Sequence, residues 1–202
     1  MKKKKTSEPG LLASGSDWQN NACLNYMPDH GTAYTEGYRR AADILINHID
    51  ETGRDQDFLV YPVMFLYRHH IELLIKQIIE LALKLSDDPG KHPYKKNNHN
   101  LTSLWPVAEK LILEVDDTSR KSDFHLIKEV VNELQKVDAP ATDFRYARRN
   151  DGTRSLEGIK YVNTRRFGEK MGAASDLLDA IDTGLRYLLD QKSEWNDILN
   201  SY

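Results

Sequence analysis

The chain has 202 residues, 40% hydrophobic and 29% charged, with a formal net charge of −3. That composition excludes a disordered chain and a basic nucleic-acid-coating protein, and it suits one globular domain able to bury a core without disulfides or metal. A single cysteine, Cys23, excludes a disulfide framework and a multi-cysteine zinc site.

Residues 1–30 are polar and interrupted by Pro9, Gly10, Gly15 and Pro28. They are expected to form an N-terminal arm, with Trp18, Cys23, Tyr26 and Met27 pinning its second half to a body spanning 31–202. Lys2–Lys5 are followed by Thr6-Ser7-Glu8-Pro9-Gly10, where a signal peptide would need an apolar stretch, so a cytoplasmic protein is expected. The longest apolar run, 60–67, contains Pro62 and falls far short of the ~20 residues of a membrane span.

From there the periodicity predicts an all-α, up-and-down bundle of about five helices. The first covers 33–49, with Tyr34, Tyr38, Ala41, Leu45 and Ile49 at three- and four-residue spacings. The second starts near Phe58, with Asp55 or Asp57 as cap and Pro62 close to the first turn, and ends before Asp88-Pro89-Gly90. It is apolar around most of its circumference, which predicts a central helix. Its polar positions, Arg68, Glu72, Lys76, Glu80 and Lys84, follow each other at four-residue steps. The Glu80–Lys84 end suits a solvated stripe. Around Arg68–Lys76 the neighbours are more apolar, so a buried polar cluster is expected there, with His99 and Arg145 as partners from other elements.

A polar connection, 90–100, leads to a third helix from Leu101 or Ser103 to Val115, with Pro106 either in its first turn after a Ser103 cap or kinking it. A fourth helix is predicted over 123–137, capped by Ser119 or Ser122, and a fifth over 168–199. The fifth carries a seam of Met171, Ala174, Leu178, Ile181, Leu185, Leu188, Trp195, Leu199 and Tyr202 broken by Lys192. Between the last two helices lies a stretch of 30 residues, 138–167, too long for a mere connection. It is expected to be an ordered loop or a small β-hairpin, with 144–146 and 159–162 as strands around Asp151-Gly152.

Charge is uneven. Residues 141–170 hold eight Lys/Arg against four Asp/Glu, and 171–202 hold two against six. The basic stretch could pair with the acidic helix. Alternatively, Arg145, Arg148, Arg149, Arg154, Arg165 and Arg166, interleaved with Phe144, Tyr146, Tyr161 and Phe167, could form a patch in which guanidinium meets phosphate and rings stack on bases.

Among reaction signatures, the nucleophile elbow, the phosphate loop, the dinucleotide fingerprint and the His-Glu-x-x-His zinc motif are all absent from the sequence. No metal site is expected, because adjacent His69 and His70 point about 100° apart on a helix, and no cofactor is implied. Arg120 and His125, four residues apart, are the one pair suited to metal-independent RNA cleavage. Histidine would exchange the proton while arginine neutralises the phosphorane. On a continuous helix their side chains would diverge by about 140°, unless Arg120 precedes the helix start.

The segment Tyr61–Lys76, Y-P-V-M-F-L-Y-R-H-H-I-E-L-L-I-K, with His99-Asn100-Leu101 and Leu104-Trp105, resembles the central helices of HEPN-domain proteins. Phe144-Arg145-Tyr146 with Asp151-Gly152 resembles a segment of uncharacterised bacterial relatives. The resemblance implies a helical bundle that often forms a homodimer. It also implies a role in binding RNA, a nucleotide or a cognate protein partner, in a bacterial defence or toxin–antitoxin setting. The family's catalytic Arg-x4–6-His maps onto Arg120 and His125, although Lys121 stands where a polar residue such as Asn or Asp is usual. Three expectations follow. One is a binding module using Arg68, His69, Glu72, Lys76, His99, Arg145, Tyr146, Arg148 and Arg149. The others are an endoribonuclease using Arg120 and His125, and a purely structural interaction bundle.

Overall fold

The structure, a computed structural model, describes residues 10–24 and 30–200, without the side chains of His30 and Asp123. Residues 1–30 and 31–202 are separate compact units. In the first, Asn21 closes a loop by accepting from Gly15 N at 2.8 Å and donating to Gly15 O at 2.9 Å. Trp18 and Cys23 are exposed. Tyr26 and Met27 lie outside the described residues.

The second unit is an all-helical bundle: α1 (His30–Thr52), α2 (Gln56–Leu85), α3 (Leu101–Val115), α4 (His125–Val137) and α5 (Thr164–Asn200). α2 is the central helix, packed on both α3 and α5, with α4 bridging α3 and α5. Its Val63, Ile71, Ile75, Ile78, Ile79 and Ala82 are wholly buried, as an all-round apolar helix requires. None of the described helices is long and apolar enough to cross a membrane.

Several details differ from the sequence expectation. Asp55 precedes α2 in a left-handed conformation and makes no side-chain capping bond; its carboxylate lies 3.0 Å from His48 Nε2 instead. Pro62 and Pro106 both sit in the second turn of their helices, not the first. Both are exposed, so water can reach the carbonyl that each proline leaves unbonded. The cap of α3 is Asn100, whose side chain accepts from Ser103 N at 2.9 Å. α4 follows a single 3-10 turn, Lys121–Phe124, and has no side-chain cap; the Ser119 hydroxyl donates to Asp116. α1 buries Thr35, Ala42, Ile46 and Ile49 and leaves Tyr34 exposed, a face rotated by about one residue from the predicted seam. The tight packing of Ile46 on α5 sets this: a Cβ at Gly168 would lie 3.1 Å from it.

The α5 seam is covered from Met171 through Leu185 and half-buried at Leu188, whereas residues 191–200 are all exposed. Lys192, the break in that seam, has a structural use. It donates to Lys84 O and Leu85 O at 3.3 and 3.1 Å, satisfying carbonyls at the end of α2.

The 138–163 stretch is an ordered loop, not the alternative β-hairpin. Among the described residues it holds no strand, only one antiparallel bridge between Arg148 and Arg154. The expected second strand is broken at its approach by Leu156 (φ 56°) and Gly158 (φ 89°), whose left-handed backbones cannot continue an extended run. The chain reverses at Asp151-Gly152, where the Asp151 carboxylate accepts from Thr153 N and Oγ1.

Candidate functional site

Arg68, Glu72 and Lys76 lie one above another on α2, and the first two are 3% and 2% exposed. Arg68 Nη1 donates to Glu72 Oε2 at 2.8 Å, and Lys76 Nζ donates to Glu72 Oε1 at 2.8 Å. The ring Nδ1 of His99 lies 2.7 Å from the same Oε1. Burial pushes the Glu72 carboxyl up, but hydrogen bonds from Lys76, Arg68 and His99 outweigh it and hold it below the usual range. Glu72 is therefore an ionised acceptor, to which His99 donates through Nδ1. Nε2 has no partner among the described residues, and the His99 side chain is 61% exposed.

Arg68 extends this network into the long loop. Nη2 donates to His99 O at 2.9 Å, and Nε lies 3.0 Å from Asp138 Oδ2, an ion-pair distance without hydrogen-bond alignment. Burial raises the Asp138 carboxyl, against the Asp143 amide and Arg68, which lower it. Asp138 Oδ1 accepts from Asp143 N at 2.8 Å, and the buried Asp143 carboxylate is clasped by Arg149, whose Nε is 3.0 Å from both oxygens. Gln135 adds a second tie by accepting from Leu101 N at 2.7 Å and donating to Ala139 O at 3.0 Å. The buried cluster thus fixes the start of the loop to α2, α3 and α4 together.

Arg145 does not join that cluster. Its guanidinium stands over the rings of Phe65, at 5.7 Å, and Tyr146, at 5.5 Å, and donates to Ala141 O. His69 belongs to this aromatic group, stacked on Phe65 at 5.6 Å and edge-on to Tyr38 at 4.5 Å. Burial, ahead of its charged neighbours, lowers its pKa, which favours the neutral ring. Beyond Arg145 a cleft of about 400 Å³ opens between Tyr61 and the loop, lined by Arg145, Tyr146, Arg148 and Arg154. Arg148 donates to Gly152 O at 2.9 Å, and none of Arg145, Arg148 and Arg154 pairs with a carboxylate among the described residues. Tyr61 and Tyr146 are 51% and 59% exposed.

Among the described residues, the basic loop makes no ion pair with the acidic end of the chain. Arg149 meets Asp143, Arg165 meets Asp50, and Lys170 meets Glu129 and Glu133. Asp176 and Asp179 of α5 bind Arg39, and Asp182 binds Arg186. Arg149, partly exposed, is held by Asp143 within the loop, while Arg68 and Glu72 are buried.

Arg120 lies in extended backbone ahead of the 3-10 turn, and His125 opens α4. Both are exposed, and neither lines any of the four clefts beside the loop. Among the described residues no group of three or more His, Cys, Asp or Glu side chains could hold a metal ion.

Sequence reasoning missed Tyr61 and Asp138. Tyr61 had a signal, an aromatic beside Pro62 at the exposed start of an apolar helix. Asp138 had none, since it reads as an ordinary linker residue after α4. Comparisons with protein-family models, curated proteins and solved structures give no match.

Proposed function

We propose that this chain is a HEPN-like binding module whose cleft between Tyr61 and the loop takes a nucleotide, free or within single-stranded RNA. One observation carries this reading: three guanidinium groups without carboxylate partners and two half-exposed tyrosine rings share one cleft. Guanidinium matches phosphate in charge and in bidentate geometry, and a tyrosine face stacks on any base. The buried cluster beneath serves as the rigid mount that holds the loop in place. A ribonuclease built on Arg120 and His125 has less support, because neither residue reaches that cleft.

Fluorescence anisotropy with a labelled oligouridylate in EDTA tests the reading, with AMP as competitor. Saturable binding that AMP displaces is expected. Tyr146→Ala should weaken it by about 1–3 kcal/mol if a base stacks there. Absence of binding to both ligands would overturn the reading. Tyr187, Trp195, Ile198 and Leu199 are exposed on α5, which supports the homodimer that the HEPN resemblance implies. Light scattering at micromolar concentration should report twice the monomer mass; a monomer removes that part of the proposal.

A further inference from the structure

A second cleft, of about 310 Å³, lies between α2, α4, the start of α5 and residues 159–163. Its walls are apolar, formed by Met64, Leu134, Phe144, Val162 and Phe167, with the 42%-exposed Ile159 beside its mouth. The charged side chains along it are Glu133, Arg166 and Lys170. Lys170 is already bound, at 2.7 Å by Glu129 and at 3.1 Å by Glu133. Arg166 is not: its backbone N donates to Asn163 Oδ1 at 2.9 Å, but its guanidinium has no partner among the described residues. The lining therefore combines a largely apolar, preformed hollow with one cation that lacks a partner among the described residues.

We propose that this cleft binds a small amphipathic monoanion, an apolar body carrying one carboxylate, with the acid group held by Arg166. The volume lies at the small end of the range for ligand pockets, about 300–1,000 Å³, which favours a small molecule over a protein segment. The apolar walls supply affinity through buried area. The single free guanidinium supplies the polar anchor, and its fork fits a planar carboxylate. A nucleotide suits this cleft poorly, since its several charges would face one free cation and no exposed tyrosine lines the walls. The two clefts share the Phe144 wall but no charged or tyrosine anchor, so either proposal can fail alone.

Isothermal titration of the full chain with octanoate, and with octan-1-ol as the uncharged counterpart, tests the proposal. Octanoate should bind saturably at one site per chain. Arg166→Ala should weaken octanoate about tenfold, the effect of losing a hydrogen bond to a charged group, and leave octan-1-ol unchanged. Val162→Trp, which fills the hollow, should abolish binding of both. Ile159→Glu, at a half-exposed position that tolerates charge, should repel octanoate without disturbing the melting curve. No saturable octanoate binding would overturn the site. So would Arg166→Ala weakening both ligands equally, or binding that survives both Val162→Trp and Ile159→Glu.

Discussion

Arg68 and Arg148 are the same residue type in opposite circumstances. Arg68, on the central helix, is 3% exposed and meets Glu72, Asp138 and the His99 carbonyl. Arg148, on the loop, is exposed and its guanidinium donates to a backbone carbonyl, beside Arg145 and Arg154; among the described residues none of the three has a carboxylate partner. The difference lies in desolvation. A guanidinium removed from water must be met by fixed acceptors, so its energy is committed to the fold. One left in water costs the fold little and remains available to an anion. The buried group places the loop, and the exposed groups give the loop something to do.

The sharpest way to break this contrast is at Glu72. Glu72→Ala strands Arg68 beside a single buried carboxylate and should destabilise by about 3 kcal/mol in denaturant unfolding. A loss below about 0.5 kcal/mol would return the stripe to the behaviour of a solvated surface pair.

Acidification gives the next largest effect. His70 is wholly buried, with Nδ1 3.0 Å from Thr35 O, and burial, its main cause, lowers its pKa below 6.5. The unfolded chain therefore takes up a proton that the folded ring resists. Stability should fall as pH drops below 6.5, by at most about 1.4 kcal/mol per pH unit, until the lowered folded value is reached. His70→Gln should flatten this slope; an unchanged slope would show that His70 is not its source. Further into acid, Glu72 has the usual carboxylate sign, its contribution being lost as pH falls through its lowered value. Asp138, with its pKa raised, opposes that loss.

Arg120→Ala and His125→Ala should have the smallest effects. Both residues are exposed and apart from the clefts, so each substitution should change stability by less than about 0.5 kcal/mol and leave oligouridylate affinity intact. Metal-independent RNA cleavage lost specifically in His125→Ala would instead establish the enzyme reading.

The helices were legible because a core-facing stripe repeats with the helical period, and α2 stood out because it is apolar on nearly every side. Caps were less legible: His99-Asn100-Leu101-Thr102-Ser103 offers two cap residues, and in the fold it is Asn100 whose side chain accepts from Ser103 N. The start of α5 at Thr164 depends on Asn163 bonding to Arg166 N, a local signal easily lost inside a long polar loop. For the site, the pairing of Glu72 with His99 could be anticipated from a carboxylate on an apolar helix, because such a group must find cations. Asp138 and the clefts could not. They arise from where distant elements come together, and no periodicity within one segment encodes that.

The most direct test of the account is the salt dependence of oligouridylate affinity for the wild-type chain and for the Arg145→Ala/Arg148→Ala/Arg154→Ala variant. If all three guanidiniums meet phosphates, the slope of log affinity against log salt should shrink by about 2, near 0.7 for each contact to a single strand. Unfolding stability should stay near wild type, because these groups lie outside the buried cluster. An unchanged slope with affinity intact would contradict the account, as would unfolding of the triple variant.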